Sequence, residues 1–441
     1  MEQRRKNLTQ LFIPICLETL LYMLSGMVDT LMLSSVNDQA VGAVGTANTY
    51  IGIFIIMFSV ISSGMVAVMT QNIGAGRPGV AYQARQLGLA FNAVLGVIMS
   101  LFLSLGAGTI LSGGGVADAL MQPARTYLQI VGGFCILNAL IPICSSYLRA
   151  FGFSKEPLYA SIIGNVINFC LNAFFLFVLH KGVAGVATAT VISRIINLVI
   201  VVLLGAVLVK AKQHPERESN RAVMGQIIRI GLPSACETAI YNVSMTLVIR
   251  FLNQMDAQGL NVTARSYTMQ ITNFSYCVGA ALAQANAIMT GWHIGAKEYD
   301  ACDRGTKKAA VIGVIVAVIL ETVFTLCSGW IMQLFSKDPQ MVSLVGKLLA
   351  IDIVLEIGRV TNLVYGQALK TSGDAVFPVV MGVCFMILCS VGGTYLFGIR
   401  LGLLAVGAYI GMAGDECVRA IGMYLRWKSG KWKEKGLVKS R

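Results

Sequence analysis

Apolar runs of about twenty residues or more follow one another along nearly the whole chain, and few folds accept that pattern. They fall at 8–33, 43–70, 86–111, 122–149, 158–179 and 183–209. After a polar segment they resume at 223–254, 263–291, 304–330, 340–368, 376–398 and 401–427. A helix rising about 1.5 Å per residue needs about 20 residues to cross the hydrocarbon core of a bilayer. With no water there, each segment must satisfy its own backbone hydrogen bonds, which selects the helix. The expected fold class is therefore an all-α integral membrane protein with twelve transmembrane helices. Composition agrees: hydrophobic residues make up 56% of the chain and charged residues 12%, about half the charged share of a soluble domain. Divided among twelve spans, the 441 residues leave about 37 each, enough for a span and a short loop.

The net charge of +13 is distributed unevenly. With the N-terminus in the cytoplasm, Arg4, Arg5, Lys6, Arg77, Arg85, Arg149 and Lys155 fall inside. So do the central linker with Lys212 and Arg217, the loop with Lys297, Arg304, Lys307 and Lys308, then Lys370 and the basic tail. Lys181, Lys337 and Arg400 fall outside. This is the positive-inside asymmetry, and it implies an even number of spans with both termini cytoplasmic. It also accounts for the basic charge without nucleic acid, which is not an expected partner. The short loops suit a multi-pass protein of a bacterial cytoplasmic membrane. The run at 8–33 is too long for the core of a cleavable signal. The eleven cysteines form no C-x-x-C pair, and His180, His214 and His293 are scattered. Neither a zinc site nor a disulfide framework is indicated, and the cysteines read as small buried hydrophobes.

The two sets of six runs repeat. Pro14 and Glu18 in the first helix match Pro233 and Glu237 in the seventh, 219 residues later, and Tyr22 matches Tyr241. Ile73-Gly74-Ala75 matches Ile294-Gly295-Ala296, and Arg149, Gly152 and Pro157 match Lys370, Gly373 and Pro378, all at an offset of 221. Six is even, so both halves enter from one side and the repeat is parallel, an arrangement typical of transporters with a path between the halves. The domain plan is an N-terminal lobe 1–209, a cytoplasmic linker 210–222, a C-terminal lobe 223–427 and a basic cytoplasmic tail 428–441.

Charged side chains inside such runs cost on the order of 3 kcal/mol at the helix centre, which makes them functional candidates. Asp29 stands near the outer end of the first run, in Gly26-Met-Val-Asp29-Thr30. Asn172 in the fifth run and Thr190 in the sixth lie at similar depth, and Asn168 is one turn from Asn172 on the same face. One carboxylate with amide and hydroxyl oxygens makes a candidate coupling-cation site, for a hard cation or for a proton. At the repeat offset, Cys389 and Gly393 replace the two asparagines, so this set belongs to the first half alone.

Glu18 and Glu237 each follow a proline whose missing N–H loosens the backbone. They are candidate substrate or proton sites, or acceptors for polar groups freed nearby. In the tenth run Asp352, Glu356, Arg359 and Asn362 share one helical face. Arg359 can pair with Glu356, leaving one carboxylate uncompensated. These are further candidate substrate or proton sites, set against a purely structural ion pair. Asp415, Glu416 and Arg419 are expected to pair near the inner end of the last run. Pro14, Pro142 and Pro233 predict kinks, and Gly407-x-x-x-Gly411 is a small-residue packing motif.

Several of these elements together resemble the multidrug and toxic compound extrusion (MATE) family over nearly the whole chain. They are Pro14 with Gly26-Met-Val-Asp29-Thr30, Gln71-Asn-Ile-Gly-Ala-Gly76, Arg149-Ala-Phe-Gly152 leading to Pro157, and Asn165-x-x-Asn168-x-x-x-Asn172. Gly231-Leu-Pro233 and Ser372-Gly-Asp374 leading to Pro378 complete the set. The resemblance implies a twelve-helix antiporter with two lobes around a V-shaped cavity. It would export amphipathic, often cationic small molecules in exchange for Na+ or H+. It maps the family's first-helix aspartate to Asp29, its fifth-helix cation-site positions to Asn168 and Asn172, and its sixth-helix threonine to Thr190. Some members carry an aspartate where this chain has Asn172. The family's seventh-helix glutamate lies four residues beyond Glu237, where this chain has Tyr241.

The expected function is thus a secondary active antiporter, a monomer in the lipid bilayer with small-molecule substrates and no cofactor beyond its coupling ion, Na+ or H+. The alternative is a flippase for lipid-linked or polysaccharide precursors, as in related exporters. Such a protein is expected to line its cavity with several cations, whereas the charges picked out in these spans are mainly acidic. An enzyme is not expected, since no H-E-x-x-H or G-x-S-x-G occurs, and no G-x-x-x-x-G-K-[ST] points to ATP.

Overall fold

The computed structural model describes residues 6–35, 38–210, 214–256, 259–333 and 335–438. Arg4, Arg5 and Lys212, counted among the inside charges, lie outside these residues. Every regular element among the described residues is helical. The chain divides into two compact units, Met1–Leu232 and Pro233–Arg441.

In the first unit the long helices are α1 (Leu8–Ser34), α2 (Asp38–Gly74) and α3 (Pro78–Leu105). The short α4 (Ala107–Gly113) and α5 (Asp118–Tyr127) follow, then α6 (Ile136–Ala150), α7 (Lys155–Ala173) and α8 (Gly182–Leu208). Helix α1 opens with a capping box, in which the Asn7 N–H donates to Gln10 Oε1 at 3.2 Å and an otherwise orphan N–H at the helix start is satisfied. Helix α3 starts eight residues before the apolar run at 86–111, because Pro78 occupies its first turn, where a missing N–H costs nothing.

A sharp bend lies upstream of Pro142. Asp118–Gly132 and Ile136–Ala150 meet at 43°, and the break lies upstream of Pro142, beside Gly132 and Gly133. Leu128–Gly132 is wound as a π-turn, a recognised cause of sharp bends. The apolar core gathers Leu103, Leu111, Leu128 and Leu176 around Phe58 and Tyr127.

Part of the polar segment after α8 is tied to the start of α3. Arg77 holds Glu218 at 2.6 Å, Gln83 donates to the Glu218 carbonyl at 2.7 Å, and Arg217 donates to the Gly79 carbonyl at 2.7 Å. The opening turns of α9 (Asn220–Met255) also belong to this unit. A Cβ on Gly231 would sit 1.6 Å from the Val60 carbonyl oxygen, so only glycine permits that approach.

The second unit contains the rest of α9, then α10 (Leu260–Gly295), α11 (Tyr299–Leu326), the short α12 (Ser328–Met332) and α13 (Pro339–Thr371). Helix α14 (Val376–Phe385) runs on through π-wound stretches at Met386–Val391 and Thr394–Arg400, before α15 (Leu404–Lys428). Asp338 caps α13 by accepting from the Gln340 N–H at 2.9 Å. Gly407 and Gly411 face the backbone of Phe397 and of Gly393, so the small-residue motif does bring two stretches of backbone together.

The tail folds back onto this unit. Trp432 stacks on Trp427 at 4.2 Å and 8° and donates to its carbonyl at 3.0 Å. Asp374, fully buried, accepts from Arg426 at 2.7 Å and from Lys435 at 3.2 Å.

Among the described residues, seven helical segments are long and apolar enough to cross a membrane, and the bent pair in the first unit makes an eighth if it is one span. Helices α9, α10, α13 and α15 have 36, 36, 33 and 25 residues. They are long enough to span but carry more polar side chains, many of which meet partners inside their unit. Large apolar side chains point outward, with Leu105 84% and Leu326 80% exposed, as lipid-facing residues do.

Candidate functional site

In the first unit, α7 places Asn168 and Asn172 one turn apart on one face, and both are buried. Asn172 Nδ2 donates to Asp29 Oδ1 across to α1 at 2.6 Å and to Asn168 Oδ1 at 3.2 Å. Asp29 is half-buried. Among the described residues the buried Oδ1 of Asn172 has no hydrogen-bond partner, so an oxygen ligand beside the carboxylate is left over. Thr190 is buried on α8, but its hydroxyl donates to the Val186 carbonyl of its own helix at 2.9 Å. The structure therefore joins three of the four expected residues, and Thr190 makes no hydrogen bond to them. Two charged or polar neighbours complete the surroundings: Arg194 on α8 acts electrostatically on Asp29, and Tyr127 lies within reach of both. Oxygen ligands around one carboxylate suit a hard cation or a proton.

Glu18 and Glu237 each have a cation. Arg149 reaches Glu18 at 2.6 Å, joining α1 to α6. Lys370 reaches Glu237 at 2.6 Å, joining α9 to α13. The two cations are themselves the repeat-equivalent pair, so each unit carries the same tie between its first long helix and the helix that ends in that cation.

In the second unit, α13 presents Asp352 and Glu356 toward Glu321 on α11, and their carboxylate oxygens lie within 4.8 Å of one another. All three residues are buried. Among the described residues, both oxygens of Glu321, Asp352 Oδ2 and Glu356 Oε2 lack hydrogen-bond partners. Arg359 pairs with Glu356 and lies 3.7 Å from Glu416. Asn362 also donates to Glu416, at 3.0 Å. Arg419 holds Asp415 at 2.9 Å and Glu416 at 2.7 Å, so the expected pairing in the last helix is present.

Three acids against a single guanidinium leave negative charge uncompensated, and a proton or a metal cation would balance it. Beside this cluster lies a cavity of about 410 Å³, reached by Asp352, Arg359, Glu416, Glu237, Lys370 and Arg265 and walled by methionine and tyrosine side chains.

Three charged residues at these two sites escaped the sequence reading: Arg194, Arg265 and Glu321. Each stands inside an apolar run, at 183–209, 263–291 and 304–330. The cost of a charge in lipid, applied to Asp29 and Asp352, marks them equally.

Comparison with known proteins gives the same direction throughout. The MatE family model matches residues 14–174 and 233–396. The uncharacterized transporter YisQ of Bacillus subtilis is 34% identical over 431 residues, covering 96% of this chain and 94% of its own length. The probable multidrug resistance protein NorM of Thermotoga maritima is 23% identical, covering 98% of this chain and 94% of its own. A crystal structure of MATE in the straight conformation superposes with a TM-score of 0.86 at 19% identity, over 97% of this chain and 96% of that one.

Proposed function

This chain belongs to the MatE family, and we propose that it is a secondary antiporter exporting amphipathic small molecules in exchange for Na+ or H+. It is a membrane transporter and not an enzyme, as its relatives are. The proposal adds twelve spans with both termini cytoplasmic, two six-helix lobes joined by the 210–222 linker, a monomeric state and a bacterial cell membrane. It involves no nucleic acid and no cofactor beyond the coupling ion.

The observation that carries the coupling is the contact of Asn172 Nδ2 with Asp29 Oδ1 at 2.6 Å, with Asn172 Oδ1 left free of partners. In this reading Asp29, Asn168 and Asn172 take the coupling ion, and Thr190 joins them when its hydroxyl leaves Val186. Exchange needs only that ion and substrate prefer different conformations of the protein. The cavity in the second unit would hold the substrate. Asp352 borders both that cavity and the Glu321–Glu356 cluster, so a substrate amine would meet an acidic wall there.

The flippase reading would be favoured by several free cations in the cavity. Of the four that line it, Arg359, Lys370 and Arg419 are already held by carboxylates, so lipid pyrophosphates are the weaker reading. The test is dye efflux from proteoliposomes under an imposed Na+ gradient and then under an imposed pH gradient. Export driven by one of them supports the proposal. Movement that follows only the substrate's own gradient contradicts it.

A further inference from the structure

Helix α11 carries one exposed face along nearly its whole length. Arg304, Lys308, Val311, Ile315, Ile319 and Val323 recur at helical spacing, and all are exposed. The apolar part of this stripe is of the kind that faces lipid, and the two cations continue it at the start of the helix. Helix α15 repeats the pattern in the opposite direction. Ile421 and Leu425 are exposed, and Lys428 follows on the same face, also exposed. Lys431 and Lys433 stand exposed just beyond.

The two cationic ends are held together. Trp427 Nε1 donates to Asp303 Oδ1 at 2.8 Å, and Trp432 meets Tyr299 edge-on at 5.9 Å. Their charges therefore form one surface at one end of the second unit. Lys307 and Lys435 are spoken for by Asp303 and Asp374. Among the described residues, Arg304, Lys308, Lys428, Lys431 and Lys433 form no ion pair. Segments 297–308 and 426–435 together hold nine lysines and arginines against four carboxylates, so the surface is net positive.

An exposed lysine needs no partner in water. What selects a partner here is position, since free cations begin where two lipid-facing apolar stripes end. We propose that this end of the second unit is a docking surface for anionic phospholipid. Phosphate headgroups seat among Arg304, Lys308, Lys428 and Lys431, and their acyl chains lie along the exposed stripes of α11 and α15. A soluble anion would meet the charges and leave the stripes unused. The Trp427–Trp432 stack holds the tail in place, so its lysines are presented without the cost of ordering a loose segment.

The test titrates full-length protein in neutral detergent with phosphatidylglycerol or with phosphatidylcholine of the same chains. Native mass spectrometry reads the affinity of the first bound lipid. The wild type binds phosphatidylglycerol about tenfold or more tightly than phosphatidylcholine, since each cation near an anionic headgroup is worth about fivefold. Arg304→Gln with Lys308→Gln, or Lys428→Gln with Lys431→Gln, weakens phosphatidylglycerol about tenfold and leaves phosphatidylcholine within about twofold. Lys428→Arg with Lys431→Arg keeps the charge and keeps the binding. Lys337→Gln with Arg400→Gln removes two exposed cations beyond the opposite ends of these helices and leaves phosphatidylglycerol within about twofold. Every substituted side chain is exposed, so the variants melt close to the wild type.

An equal loss in the Lys337 and Arg400 variant, or no preference for phosphatidylglycerol in the wild type, overturns the proposal. Glycerol phosphate, which has the anion without the chains, is not expected to displace the lipid. Displacement at matched concentration would make a soluble anion the ligand and would overturn the proposal too.

Discussion

The Glu18 carboxylate and the Arg149 guanidinium stand 2.6 Å apart, and Glu237 and Lys370 repeat the relationship at 2.6 Å in the second unit. Both glutamates follow the first-helix proline of their half by four residues. A carboxylate held this closely is a poor carrier of a proton or a substrate amine, because the cation must first be displaced. The pairs read better as ties that anchor each first helix near its proline.

Breaking one of these ties should therefore destabilise the protein before it alters coupling. Arg149→Ala or Lys370→Ala is expected to cost about 1–3 kcal/mol, less than a fully buried pair because both partners keep some solvent contact. Thermal unfolding in detergent measures the cost. The exchange Glu18→Arg with Arg149→Glu should recover much of the loss, whereas two additive losses would mean that the residues do not interact.

Glu321 should behave in the opposite way. Its two oxygens are buried without partners among like charges, so Glu321→Gln removes an uncompensated burden. The variant is expected to be about 1 kcal/mol more stable at neutral pH. If the cluster binds Na+, the wild type gains thermal stability with rising NaCl at constant ionic strength and the variant loses that dependence. Destabilisation of the kind seen on opening a core cavity would contradict the account.

Close packing in the second unit makes another expectation. A Cβ on Gly358 would lie 2.7 Å from the Cys417 backbone nitrogen, and backbone on α15 cannot swing aside as a side-chain tip can. Gly358→Ala should cost about 1–3 kcal/mol, whereas Gly414→Ala, with nothing within 4 Å of its Cβ, should be nearly silent. Equal melting temperatures for the two variants would contradict this packing.

The folded-back tail predicts that the last residues are structural. Trp432 is fully buried against Trp427, and Trp432→Ala should cost about 3 kcal/mol. Limited proteolysis followed by mass spectrometry would show cleavage after residue 428 in the variant and protection in the wild type. Equal cleavage of both would contradict the docked tail.

Helix positions were readable because the bilayer imposes length and apolarity on each segment. Helical spacing put Asn168 and Asn172 on one face, and only a count of depth along the runs set Asp29 beside them. Ion pairs between helices were not readable. The tie of Glu18 to Arg149 depends on which face of α1 meets α6, and a single sequence does not encode that visibly. The bend at Gly132 and Gly133 carried no proline signal, since a π-turn needs none. Arg265 and Glu321 lay within apolar runs and could have been found by charge alone. What their charge could not tell is that, among the described residues, Arg265 has no ion-pair partner while Arg359, Lys370 and Arg419 do. Only the packed unit separates a compensated cation from a free one.

The central claim is that Asp29 carries the coupling ion, and one measurement tests it most directly. Wild-type protein and Asp29→Asn are reconstituted at equal density, and dye efflux is followed under the gradient that drives the wild type. The account predicts that the variant folds, inserts and melts close to the wild type, since an amide still meets Asn172, yet loses gradient-driven efflux by about a hundredfold, as expected when the only charged ligand of the site is removed. Undiminished gradient-driven efflux in Asp29→Asn would contradict it.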